Sequence, residues 1–107
     1  MATSRIYERG MAEVVDRLTK AGYDEVFRGE AGGIRGARSG LLHQPEDLAI
    51  SLIERFEGIS NPDDETIVLA LICKAHGCRG TYVAPFGKDM SSTDATLIRR
   101  IPDARAR

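Results

Sequence analysis

Thr66-Ile67-Val68-Leu69-Ala70-Leu71-Ile72-Cys73-Lys74 is the stretch on which the fold turns. Its β-branched residues at 66, 67, 68 and 72 favour an extended backbone. Both alternating sets are apolar, as in a central strand covered on two faces. His76 and Gly77 supply a turn, and Gly80 to Phe86 (GTYVAPF) returns as the next strand. Pro85 has no N–H to offer a ladder, so that strand should end or lie at an edge there.

Working back from this hairpin, residues 44–58 read two ways. As a helix, Pro45 occupies the first turn, Glu46 and Asp47 suit its positive end, and Leu48, Ala49, Leu52, Ile53 and Phe56 share a face. As a strand, Leu48, Ile50, Leu52 and Phe56 alternate with Ala49, Ser51, Ile53 and Arg55, and Glu54 falls on the apolar side. Periodicity alone slightly favours the helix.

The N-terminal segment is clearer. Tyr7, Met11, Val14, Val15 and Leu18 form one stripe of a 3.6-residue period, which predicts a helix over residues 4–21. Ser4 or Thr3 would cap it, Gly22 would end it in a left-handed conformation, and Tyr23 would fold back on its last turn. Val26-Phe27 and residues 34–38, separated by Gly32-Gly33, suggest an edge hairpin or a mobile loop weakened by its five glycines. Near the C-terminus, Ser92 or Thr93 would cap a helix over residues 94–101 with Leu97, Ile98 and Ile101 inward. Pro102 stops it, and the Arg-rich residues 103–107 should be a disordered tail.

A chain of 107 residues, 42% apolar and 29% charged, can bury one core but not two. With six aromatic residues, none of them Trp, that core must rest on Ile, Leu and Val. A net charge of -1 gives no reason to expect nucleic acid as a partner. No apolar run is long enough to span a membrane, and the first residues lack the core of an export signal. Two cysteines make no disulfide framework, so a reducing cytoplasm is the expected setting.

Two runs carry a resemblance. One is Pro45-Glu46-Asp47-Leu48, Glu54-Arg55-Phe56-Glu57-Gly58 and Ser60-Asn61-Pro62-Asp63-Asp64-Glu65; the other is His76-Gly77, Gly80 and residues 82–87. Together they resemble a family of roughly 100-residue bacterial proteins of unknown function, some of which bear the name phosphoribosylpyrophosphate synthetase. The resemblance implies a strand over residues 50–56, and a neighbouring strand gives Ile67 to Ile72 a partner. It does not carry the synthetase activity. Such enzymes are about three times longer, with acidic residues after an apolar strand, whereas Asp63 and Asp64 precede theirs. No Gly-x-x-x-x-Gly-Lys-Ser/Thr loop is present either.

The predicted fold is therefore α+β: an N-terminal helix, an antiparallel sheet of three to five strands with a central meander over residues 48–86, and a short C-terminal helix, in one domain over residues 1–102. Three groups could carry chemistry. Glu54, Arg55, Glu57, Asn61, Asp63 and Asp64 form an acidic strand connection that could bind Mg²⁺ or Ca²⁺ or serve simply as a turn with a surface ion pair. Arg28, Arg35 and Arg38 interleave with glycines and could wrap an anion. Cys73, His76 and Cys78 give Cys-x-x-His-x-Cys, three local zinc-type ligands where a structural site needs four, with His43 distant. No cofactor is expected, and no Ser-His-Asp or Cys-His arrangement is legible. The favoured function is a non-catalytic interaction or regulatory module, its partner an unidentified protein or a second copy. A small phosphate- or nucleotide-binding or hydrolytic domain is the alternative.

Overall fold

The computed structural model describes residues 3–57 and 65–105, with side chains from residue 10 onward. In chain order the elements are α1 (Thr3–Lys20), β1 (Glu25–Glu30), β2 (Gly33–Gly36), β3 (Leu42–His43), a 3₁₀ turn (Pro45–Asp47), β4 (Leu48–Glu57), β5 (Glu65–Cys73), β6 (Arg79–Phe86), a second 3₁₀ turn (Gly87–Asp89) and α2 (Ser92–Arg100). The fold is α+β, as the patterning predicts.

β5 is the central strand of the meander, antiparallel to β4 on one side and to β6 on the other, and Ile67 to Leu71 are buried. The ambiguous segment is a strand, and its mixed pattern has two physical causes. Pro45, Glu46 and Asp47 do form a helical start, but it is a single 3₁₀ turn. A bulge between Ile50 and Leu52 then absorbs Ser51. The bulge breaks the two-residue alternation, so Leu48 and Ile50 before it and Ile53 after it all face the main core. That spacing imitates a helix.

The sheet is larger than predicted and not purely antiparallel. Six strands lie in the order β3-β2-β1-β6-β5-β4, two antiparallel meanders joined by a parallel β1–β6 pair. The glycine-rich segment is thus neither a mobile loop nor an edge hairpin: β1 is interior, held by β2 and β6. β1 pairs with β6 only as far as Tyr82, so Pro85 meets β5 alone and no ladder is spoiled by its missing N–H.

The connection from β3 to β4 dictates the shape of this sheet. The two strands sit at opposite edges, about 24 Å apart if the sheet were flat at about 4.8 Å per strand. Yet only five residue steps separate His43 from Leu48, a reach of at most about 18 Å. The sheet must curl around its core face, lined by Phe27, Ile34, Leu48, Ile50, Leu69, Tyr82 and Leu97.

α1 lies on the other face. Met11, Val14, Val15 and Leu18 are half-buried at helical spacing, and Val68 and Ala70 have no exposed surface. The helix ends as its sequence predicts: Gly22 has φ +104°, and the Tyr23 N–H returns to the Leu18 carbonyl at 2.9 Å. Thr3 and Ser4, expected as caps, already lie within the helix.

α2 starts earlier than predicted. Its cap is Ser91, whose hydroxyl accepts from the Asp94 N–H at 3.0 Å, and not Ser92 or Thr93. Leu97 and Ile101 are buried as predicted, and Ile98 packs against the core. Residues 103–105, expected to be disordered, lie along β4. The Ile50 N–H donates to the Pro102 carbonyl at 2.8 Å and the Ala104 N–H to the Ile50 carbonyl at 2.9 Å. No described helix is long and apolar enough to cross a membrane.

Candidate functional site

The acidic group is described only in part. Asn61, Asp63 and Asp64 lie outside the described residues. Glu54, Arg55 and Glu57 are on β4 beyond the bulge, where alternation puts Glu54 on one face and Arg55 and Glu57 on the other. The Arg55 guanidinium sits over the Phe86 ring, 4.7 Å from its centroid, and forms no ion pair among the described residues. This is a cation–π contact reaching past β5 to the end of β6.

The arginine and glycine group is built around the protein's own carboxylates. Arg35 lies directly across from Arg28. It forks onto Glu30 through Nε and Nη2 at 2.9–3.0 Å and donates from Nη1 to the Gly40 carbonyl at 2.8 Å. The hydrogen bond from Arg35 holds the Glu30 carboxyl below its ordinary range. Arg38 donates to the Asp24 carbonyl at 3.1 Å.

The loop after β2 does wrap an anion, and the anion is Glu25. Its carboxylate accepts from the backbone N–H groups of Val26 at 2.9 Å, Arg38 at 2.8 Å and Ser39 at 3.0 Å. Only 6% of the residue is exposed. Burial alone would raise its pKa, but donors from Arg38, Val26 and Ser39 outweigh it and hold the carboxyl below the ordinary value. Gly36 is required here, since a Cβ would strike the Glu25 carboxylate.

The sulfur group differs in composition from the sequence reading. Cys73 ends β5, and Cys78 lies across the turn just before β6. The Cys73 N–H donates to the Cys78 carbonyl at 2.7 Å, and the Gly77 N–H to the Cys73 carbonyl at 2.9 Å. His43, distant in sequence, is the third member: its Nδ1 lies 3.7 Å from Cys73 Sγ, and ligand atoms of His43, Cys73 and Cys78 all fall within 4.8 Å of one another. The curl of the sheet brings β3 over the end of β5. His76 is exposed on the turn, its ring centroid 6.2 Å from that of His43.

His43 is 5% exposed, packs edge-on against Phe27 at 5.7 Å, and has no hydrogen-bond partner for Nε2 among the described residues. Burial, and then the proximity of His76, push its pKa down, so the ring is held neutral. Burial also pushes the Cys78 thiol up to about 11, with its hydrogen bond to Cys73 and the charges of Cys73 and Glu25 adding to the rise.

One further polar pair escaped the sequence reading. The buried Tyr82 hydroxyl donates to the Asp94 carboxylate and ties β6 to α2. Burial and then the bond to Asp94 push the phenol pKa upward, so it acts as a fixed donor. Nothing local marks Tyr82 and Asp94 as partners in the sequence. Arg100 likewise forks onto Glu46 at 2.7 and 2.9 Å, joining α2 to the 3₁₀ turn before β4. The depression between α2 and the β1–β2 turn, about 280 Å³ and lined by Glu30, Thr96 and Arg100, is shallow and open to solvent.

No family model, curated protein or solved structure matches the chain.

Proposed function

We propose that the protein is a non-catalytic interaction module that works through the outer edge of β4, pairing there with a second copy of the chain. The observation that carries this reading is the way the protein's own C-terminal segment docks on that edge. Ile50 extends its N–H and C=O outward and exchanges them with residues 102 and 104 in strand fashion. Beyond Ile50 the strand continues to Glu57 with β5 as its one strand neighbour among the described residues. Past the bulge, alternation turns the N–H groups of Ile53 and Arg55 outward as well. An exposed strand edge invites pairing, and a two-fold axis lets one edge serve both partners.

The anion-binding or hydrolytic alternative has less support. Arg35 and Arg38 already donate to groups of this chain, and the backbone nest beside them holds Glu25. The resemblance to small bacterial proteins supports a bacterial cytoplasm as the setting, where Cys73 and Cys78 would stay as thiols.

Light scattering across a concentration series tests the reading, combined with hydrogen exchange of the β4 amides. A dimer with slowed exchange at Ile53 and Arg55 is the expected result. A strict monomer at high concentration, with both amides exchanging freely, would sink it.

A further inference from the structure

The chain has two cysteines and two histidines, and all four meet at one end of the curled sheet. Cys73, His76 and Cys78 share the β5–β6 hairpin, but His43 comes from β3, so local chain geometry alone does not explain the convergence. The geometry points to a divalent metal site of the zinc class, formed by His43, Cys73 and Cys78 and completed by His76.

The distances suit a metal as well as they suit hydrogen bonds to sulfur. With metal–sulfur bonds of about 2.3 Å and metal–nitrogen bonds of about 2.0–2.1 Å, the sulfur–nitrogen edge of a tetrahedron is about 3.6 Å. His43 Nδ1 and Cys73 Sγ are 3.7 Å apart. The ligand atoms of the trio all lie within 4.8 Å of one another, against a sulfur–sulfur edge of about 3.8 Å in a tetrahedral site. His76 is exposed on the turn after β5 with its ring centroid 6.2 Å from that of His43, and it would supply the fourth ligand by turning toward the trio.

Chemistry narrows the occupant. Two sulfurs and two imidazoles reject the hard cations Mg²⁺ and Ca²⁺ and favour Zn²⁺ in a closed tetrahedral site. The surroundings agree. His43 presents Nδ1, the nitrogen 3.7 Å from Cys73 Sγ, as the ligand atom, in a buried setting that excludes competing water. Binding would form four metal–ligand bonds and release the two thiol protons to solvent, with no electron transferred. The metal would clamp β3 to the β5–β6 hairpin across the curl.

Reduced, chelator-treated protein titrated with Co²⁺ tests this directly. The expected result is one equivalent bound per chain, with thiolate-to-cobalt charge-transfer absorption, intense visible bands of tetrahedral coordination, and displacement by Zn²⁺. At a Zn²⁺ concentration one hundred times its Kd, the folded-to-unfolded ratio should rise about a hundredfold. Bound Zn²⁺ should also protect both thiols from alkylation.

His76→Ala alters an exposed side chain and should fold; it is expected to weaken Co²⁺ binding at least tenfold and change the visible bands. Unchanged affinity and bands in that variant would overturn the assignment of His76 as fourth ligand. Absence of the charge-transfer band in the wild-type protein, or its persistence in folded Cys73→Ser/Cys78→Ser, would overturn the site. So would a two-hydrogen mass deficit without titratable thiols in protein purified without reductant, which would assign the pair to a disulfide.

Discussion

The β1–β2 hairpin and the β5–β6 hairpin each end in a loop where polar groups crowd together, and they resolve that crowding in opposite ways. In the first, Glu25 is buried against three backbone N–H groups, while the more exposed Arg35 and Arg38 are bonded to Glu30 and to the Asp24 carbonyl. In the second, His43 is buried equally deeply, yet Nε2 has no partner among the described residues, and the Cys73 and Cys78 thiols meet each other and one imidazole nitrogen. A buried polar cluster whose bonds are all made within the chain belongs to the fold. One that brings two thiols and a neutral imidazole together offers ligand atoms to something from outside.

Glu25 holds the first of these loops together. Replacing it with Ala strands three backbone donors and should cost about 3 kcal/mol, read from urea unfolding midpoints. The same residue predicts a pH dependence. Its carboxyl titrates lower when folded, so its contribution is fully present above the ordinary Glu pKa of about 4.3 and fades as the pH falls through the folded value. Glu25→Gln should accordingly flatten the acid side of the stability profile. A Glu25→Ala protein as stable as the wild type would mean the nest is not what holds the loop.

His43 sharpens the contrast with a change of opposite sign. In chelator, His43→Leu removes an unmatched polar ring at similar volume and should stabilise the protein by about 1 kcal/mol while abolishing Co²⁺ binding. Destabilisation of similar size to Glu25→Ala would place His43 among the satisfied groups. The smallest effect belongs to Arg38. Its side chain is 67% exposed and 3.9 Å from Asp24, so Arg38→Ala should change stability by less than about 0.5 kcal/mol. Inorganic phosphate should leave the Arg38 and Ser39 amide shifts unmoved, because the nest already holds a carboxylate.

Much of the fold was legible because it rests on local periodicity. The stripe of Met11, Val14, Val15 and Leu18, the two-sided apolar run of β5, the Gly22 terminator and the inward Leu97 and Ile101 all declare themselves within a few residues. β4 was obscured by its bulge at Ser51 and by a helical start at Pro45 that lasts one turn. Of the sulfur site, Cys73 and Cys78 could be seen because a hairpin keeps them adjacent. His43 could not: its one sequence signal is that it is one of just two histidines in a chain with two cysteines. The arginine group misled because sequence shows cations and glycines but not that Glu25 would fill the space between them.

By itself, then, the sequence determined the helices, the central hairpin and the turn that joins Cys73 to Cys78, since those depend on side-chain spacing along a short length of chain. Tertiary structure alone decided the parallel β1–β6 pair and the curl that lays His43 over Cys73. Both depend on strands far apart in sequence, and on a β3–β4 connection too short to cross a flat sheet.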